Sequence, residues 1–224
     1  MLGVQIRPGE DNPLSSIQVE GVVVRFRTGC PPEMIAPMTV DPGIGIFWHF
    51  KADAPERQKR TLLEIARSPD GKVVLAYTNL DRIVGYIVLC DPEPSSRWAL
   101  RGPRSMYELG AMETSRAWRG KGIAYGLHQA LFSDGSMEDR IVYTMGFAWH
   151  WDLAASGLPK RQYRNRLMAL WSRFGFHEYG TDEPDILEDS ANLFAARPGS
   201  RVSPEDTRRF HDCLVEDYAR LLMM

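Results

Sequence analysis

Cysteine is scarce in this chain of 224 residues. Three are present, Cys30, Cys90 and Cys213, an odd number with no C-x-x-C spacing. That argues against a disulfide framework or a zinc knuckle and reads as reduced thiols in a reducing cytosol. Long apolar runs are also missing. The longest, at 83–90, is far too short to cross a bilayer, and residues 1–20 hold no apolar stretch of the signal-peptide kind. The expectation is a cytoplasmic protein with no membrane partner. No basic run stands out and the formal net charge is -2, so no nucleic-acid surface is expected. His49, His128, His177 and His211 are scattered without ligand spacing, so no metal is assigned. Internal repeats and low-complexity blocks are absent as well. What is present suffices for a core: 44% of the residues are hydrophobic and 25% charged. That balance suits one domain of ordinary size, or one domain with an added helix.

The periodicities give the elements in outline. Residues 1–16 carry Gly3, Pro8, Gly9 and Pro13 without periodicity and read as a loose arm. Residues 17–27 read as a first strand. Residues 29–45 form a Pro/Gly-rich loop with one helical turn at Pro32–Ile35. Residues 55–67 set Leu62, Leu63 and Ala66 on one face of an amphipathic helix, stopped by Pro69. Residues 72–77 and 82–90 read as a hairpin, followed by a loop over 91–103. A strand over 106–114 leads to a glycine turn and a helix to Phe132, with Ile123, Leu127 and Leu131 at helical spacing. Another strand spans 140–149. A helix spans 163–174, with Leu167, Leu170, Trp171 and Phe174 inward and Gly175 as its cap. Short strands follow at 176–179 and 193–197. Ser203-Pro204-Glu205-Asp206 starts a last helix, with a stripe of Phe210, Leu214, Tyr218 and Leu221. The order predicts a mixed α/β sheet covered by helices.

The glycine turn carries the chemistry. Arg119-Gly120-Lys121-Gly122-Ile123-Ala124 sits between the strand end at Thr114 and the helix start near Gly122. A helix start leaves backbone N–H groups unpaired, and with the dipole they form an anion site. Gly120 and Gly122 lack Cβ atoms, so a phosphate can approach the backbone closely. Arg119 and Lys121 add positive charge, and a pyrophosphate fits. A P-loop is excluded, because Lys121 is followed by Gly122 rather than Ser or Thr. The dinucleotide fingerprint fails too: Gly126 falls one residue late and no acidic residue is well placed further on.

Arg119, Gly122 and Ala124 match the Q/R-x-x-G-x-G/A motif, so the chain resembles the GNAT superfamily of N-acetyltransferases. Tyr107 to Thr114 sits where that family's fourth strand would be, and Trp171-Ser172-Arg173-Phe174-Gly175-Phe176 is similar to its later helix end. A closer resemblance, to AcuA-type acetoin-utilisation acetyltransferases, covers roughly residues 17–202. It rests on Glu108-Leu109-Gly110-Ala111, Trp149-His150-Trp151-Asp152-Leu153, Ser156-Gly157-Leu158, Tyr163-Arg164, Thr181-Asp182-Glu183-Pro184-Asp185-Ile186 and Ala191-Asn192-Leu193. The Trp-His-Trp-Asp run is the most telling, because the wider superfamily lacks it. The architecture implied is α/β (α+β): a single GNAT-like domain over 17–202, with a mixed, mostly antiparallel twisted sheet flanked by helices. The arm at 1–16 precedes it. A C-terminal helix over 203–224 packs on the domain or on a partner subunit, which leaves a homodimer open.

Acetyl transfer to an amine needs a base for the amine's proton, N–H donors for the oxyanion, and proximity. In the resembling family a glutamate on the fourth strand often serves as base, which implies Glu108. Glu113 is the second candidate, on the opposite side by strand alternation unless a bulge intervenes. The family pattern places backbone groups of Met112 and Thr114 against the pantetheine arm and the Met112 N–H at the oxyanion. It places the N–H groups of Gly120, Lys121, Gly122, Ile123 and Ala124 on the pyrophosphate. Where the superfamily often has a tyrosine as acid, this chain has Trp171, whose indole gives no proton at neutral pH. Tyr163, opening the same helix, is the choice for that role, ahead of Tyr125 and Tyr143. His150 reads as a loop-fixing residue, with a base as its alternative role. Phe47, Trp48 and Phe50 read as core packing, with a substrate groove as the alternative.

The closer resemblance implies an acetyl-CoA-dependent protein lysine N-acetyltransferase that acetylates and inactivates AMP-forming acetyl-CoA synthetase. Acetyl-CoA is the co-substrate and no metal takes part. Two other functions fit the same residues: a small-molecule amine N-acetyltransferase, and a non-catalytic acyl-CoA-binding regulatory module.

Overall fold

The computed structural model describes residues 15–215. Its first elements are β1 (Ser15–Val19), β2 (Val22–Arg27), α1 (Pro32–Ile35), β3 (Thr39–Val40), α2 (Ala54–Arg67), β4 (Lys72–Thr78) and β5 (Arg82–Cys90). Then come α3 (Arg97–Leu100), β6 (Met106–Thr114), α4 (Ile123–Phe132), β7 (Ile141–Gly146), α5 (Leu153–Ser156) and α6 (Lys160–Trp171). The last are β8 (His177–Tyr179), α7 (Pro184–Leu187), β9 (Leu193–Pro198) and α8 (Pro204–Asp212). The architecture is mixed α/β, with mostly antiparallel strands flanked by helices, as the sequence predicts. Two compact units make up the chain, and β6 contributes to both. The loose arm expected at 1–16 lies almost wholly outside the described residues. Among those residues, no helix is long and apolar enough to cross a membrane.

The first unit comprises the described part of Met1–Cys90 with Leu109–Gly135. Its strand order is β1-β2-β4-β5-β6. The single strand expected over 17–27 is a hairpin: Glu20 (φ 49°) and Gly21 (φ 83°) both turn left-handed, so Val19 faces Val22 and Ile17 faces Val24. Two successive left-handed residues match the twist of the flanking strands. β2 and β4 pair antiparallel, as do β4 and β5. The short β3, inside a segment that reads as loop, runs parallel to β5. One face of this sheet buries Leu75, Ile83 and Tyr86 with Ile35 of α1 and Leu62 of α2. The other face receives α4, and two glycines set how closely. A Cβ on Gly126 would lie 2.6 Å from two Phe26 ring carbons, and one on Gly85 2.9 Å from Ile123 Cγ2.

The second unit comprises Asp91–Glu108 and the described part of Ser136–Met224. Its order is β6-β7-β9-β8. The β6–β7 pair is parallel, with Glu108 opposite Tyr143; β7 and β8 both pair antiparallel with β9. Its core stacks Trp98 of α3 on Phe194 at 4.6 Å, with Tyr143 and the α8 residue Phe210 beside them. α3 lies within the expected loop and starts where Ser96 Oγ accepts the Ala99 N–H. β7 stops at Gly146, short of the expected 149, because the Asn192 side chain takes the Ala148 N–H (2.8 Å) as the chain turns. α6 begins and ends three residues before its expected bounds. Gly175 (φ 82°) then closes the turn, and the Phe176 N–H reaches back to Trp171 O. Ser203 caps α8 through the Asp206 N–H, as its sequence predicts. Tyr218 and Leu221 of the expected stripe lie outside the described residues.

Candidate active site

In the first unit, β6 ends at Thr114 and one 3₁₀ turn, Arg116–Trp118, leads into the glycine turn. Arg119 folds back so that its Nε donates to Thr114 O at 3.1 Å. Its side chain therefore closes the turn on the strand end. Gly120 (φ 73°) and Gly122 (φ 86°) both take the left-handed region that other residues avoid. A Cβ would find open space at Gly120 and only Ile17 Cδ1 (3.8 Å) at Gly122. The glycines are thus needed for backbone direction rather than for room among protein atoms. Gly122 precedes α4 and no side chain caps that helix start. The first intrahelical bond there runs from the Gly126 N–H to Gly122 O, 2.9 Å. First-turn N–H groups have no intrahelical acceptor, and the dipole makes their end positive. Uncapped donors beside two left-handed glycines suit a pyrophosphate. Lys121 lies 2.9 Å from Glu20, an exposed partner, so that pair binds the lysine only weakly.

β6 also carries the two carboxylates. Glu113 is buried and fully engaged: Oε1 accepts the N–H groups of Gly45 (2.8 Å) and Ile46 (3.0 Å), and Oε2 accepts the Tyr86 hydroxyl (3.1 Å). Burial pushes its pKa up, and the donors pull against that. It ties the 45–50 loop, in which His49 and Phe50 both have φ 51°, to β5 and β6. Glu108, in the second unit, is half-buried and accepts one hydrogen bond, from Tyr143 (3.1 Å). Desolvation raises its pKa most, the phenol opposes that, and the Glu93 charge adds to it. Within the first unit, Met112 and Thr114 fall at alternate positions of β6, the register that sets side chains on one face of a strand. Met112 and Thr114 are half-buried, and Thr114 Oγ1 has no hydrogen-bond partner among the described residues.

The second unit holds the other aromatic candidates. Tyr163 is half-buried on α6 and stacks on Trp151, rings 5.3 Å apart. Trp171 is buried, packed near Phe176. Trp149 is 50% exposed and stacks on Phe147 at 4.6 Å, with exposed His150 edge-on to both. In the first unit, Tyr125 is 42% exposed, and Phe47, Trp48 and Phe50 are half-buried. The Arg116 guanidinium lies 3.3 Å from the Phe50 ring centre. Two residues that sequence reasoning missed stand out: Tyr86, which donates to Glu113, and Asp41, which accepts from Ser115 (2.6 Å). Each partner lies 27 or more positions away, so no local pattern could reveal them.

The chain matches no known family model. It is similar to the acetoin utilization protein AcuA of Bacillus licheniformis, 34% identical over 155 residues that span 69% of this chain and 73% of that one. The protein of the same name from Bacillus subtilis is 33% identical, over 70% of this chain and 74% of that one. Among solved structures, an acetoin utilization protein from Exiguobacterium sibiricum 255-15 superposes with a TM-score of 0.83. It has 26% identity and covers 100% of both chains.

Proposed function

The chain belongs to the AcuA family of acetoin utilization proteins; from that premise we propose that it is a GNAT-type N-acetyltransferase and that it acetylates a protein lysine, on AMP-forming acetyl-CoA synthetase. GNAT enzymes take acetyl-CoA as co-substrate, and the uncapped glycine turn is our site for its pyrophosphate. The N–H groups of Gly120 to Ala124 hold the phosphates, with Arg119 and Lys121 adding charge. Met112 and Thr114 backbone groups take the pantetheine arm, and the Met112 N–H faces the oxyanion.

The observation that carries the reading is the state of Glu108. It is a desolvated carboxylate with a single hydrogen bond, so it is a stronger base than a solvated one. Glu113, the alternative, has both oxygens committed to other groups. In our scheme Glu108 takes a proton from the lysine amine. The C–N bond forms as the thioester C–S bond breaks, and the Tyr163 phenol protonates the departing sulfur. A protein acceptor is further supported by the exposed Trp149–Phe147 stack, which offers flat apolar area to a partner.

The test mixes the protein with acetyl-CoA and an AMP-forming acetyl-CoA synthetase and maps modified lysines by mass spectrometry. The expected result is acetylation of the synthetase with loss of its activity. CoA release from small amines with an unmodified synthetase would favour a small-molecule enzyme. CoA binding with no product of any kind would favour a regulatory module.

A further inference from the structure

We infer that Asp41 is a positioning residue for the coenzyme turn, holding residues 115–118 so that Arg119 to Ala124 keep the shape that receives a pyrophosphate. This rests on the assignment of that turn made above. β3 brings Asp41 beside β5, where its N–H donates to Ile83 O at 2.9 Å. Its buried carboxylate gathers three donors. Oδ1 accepts the Ser115 hydroxyl (2.6 Å) and the Gly43 N–H (3.0 Å), and Oδ2 accepts the Trp118 indole N–H (3.4 Å). The Arg82 guanidinium stands 4.0 Å from Oδ2. Two backbone bonds complete the clamp, Arg116 N–H to Gly43 O (3.1 Å) and Ser115 N–H to Val84 O (2.9 Å).

The clamped segment runs straight into the turn. Its only regular structure is one 3₁₀ turn, which has little stability of its own. Burying a carboxylate is costly unless its bonds are made, and an apolar residue would fill this space at lower cost. What the acid adds is direction: it fixes Ser115 at the strand end and Trp118 one residue before Arg119. Gly43 serves the same clamp. A Cβ there would overlap Ser115 Oγ and lie 2.8 Å from Arg116 N. Ordering this segment during folding spares the coenzyme that cost on binding.

The test measures CoA affinity calorimetrically in Asp41→Asn and Gly43→Ala, with Gly122→Val as the control for the turn. Steady-state constants with acetyl-CoA synthetase as acceptor are measured alongside. We expect the Kd for CoA and the KM for acetyl-CoA to rise about tenfold in both clamp variants, the scale of one charged hydrogen bond. The kcat and the KM for the acceptor should hold. Reduced thermal stability with unchanged CoA affinity, while Gly122→Val loses it, would make the clamp merely structural and overturn the inference. Unchanged affinity in all three would remove the turn as a coenzyme site, and the inference with it. Should Asp41→Asn not fold, Gly43→Ala decides alone, since it leaves the carboxylate in place.

Discussion

Tyr143 reaches Glu108 with its hydroxyl from within the second unit's aromatic core, where its ring packs against Trp98 and Phe194. That packing fixes the phenol, and the phenol fixes one carboxylate oxygen. The hydrogen bond holds the Glu108 pKa down, against burial and the Glu93 charge, which both raise it. Tyr143→Phe removes only the hydroxyl, so the pKa should climb further. The acid limb of kcat/KM against pH should move up by about one unit, with activity retained on the alkaline side. Glu108→Gln should instead lower the rate about 10²- to 10⁴-fold across the profile. A Tyr143→Phe profile with an unmoved acid limb would separate the phenol from the base. At this scale the sequence was legible where neighbours follow chain order: Glu108 could be placed on the strand that precedes the turn. Its phenol partner lies 35 positions on, and the donors that occupy Glu113 lie 27 to 68 positions back.

The α4 element shows how a correct local reading can miss a cause. Gly126 reads as a failed third glycine of a dinucleotide fingerprint, and the fingerprint is indeed absent. Its position is explained by packing: Phe26 of β2 lies where a side chain would project. Gly126→Ala should raise helix propensity yet force α4 or Phe26 to shift. The net expectation is a loss of about 1–3 kcal/mol of stability, together with weaker CoA binding because the turn opens this helix. Thermal unfolding and CoA titration of the variant check both halves. A stabilised variant with wild-type affinity would mean that α4 tolerates the shift. Other elements divide along the same line. The β6 bounds and the start of α8 were legible because alternation and capping are local. The β1–β2 turn was hidden, since glutamate rarely takes Glu20's left-handed conformation. The Thr181-Asp182-Glu183 segment, one of the marks of resemblance, proves to be a fastening. Thr181 and Asp182 both bond Leu214 O, and Asp182 and Glu183 pair with Arg97.

For the whole molecule, the mixed α/β class was legible because hydrophobic periods alternate between strand and helix along the chain. What no period announces is a titratable group sealed inside a core. His128 is fully buried on α4, with Nδ1 2.8 Å from Ala124 O. Burial lowers its pKa from 6.5 to about 4, and the bond to Ala124 only partly offsets that. The folded state therefore binds this proton less readily than the unfolded state. Above the unfolded value near 6.5 the group is neutral in both states and costs nothing. As pH falls from 6.5 toward 4, only the unfolded chain takes the proton, so stability falls with it. The full loss is about 3 kcal/mol, a sizeable share of a typical domain's stability. Urea denaturation at stepped pH should show this decline, and His128→Phe should flatten it, whatever the variant's stability at pH 7. An equal slope in both proteins would shift the acid sensitivity to the carboxylates with lowered pKa values, such as Glu138, held at about 2 by the Ser200 N–H and by Arg197. That carboxylate would lose its contribution only at lower pH, so the position of the slope on the pH axis identifies the group responsible.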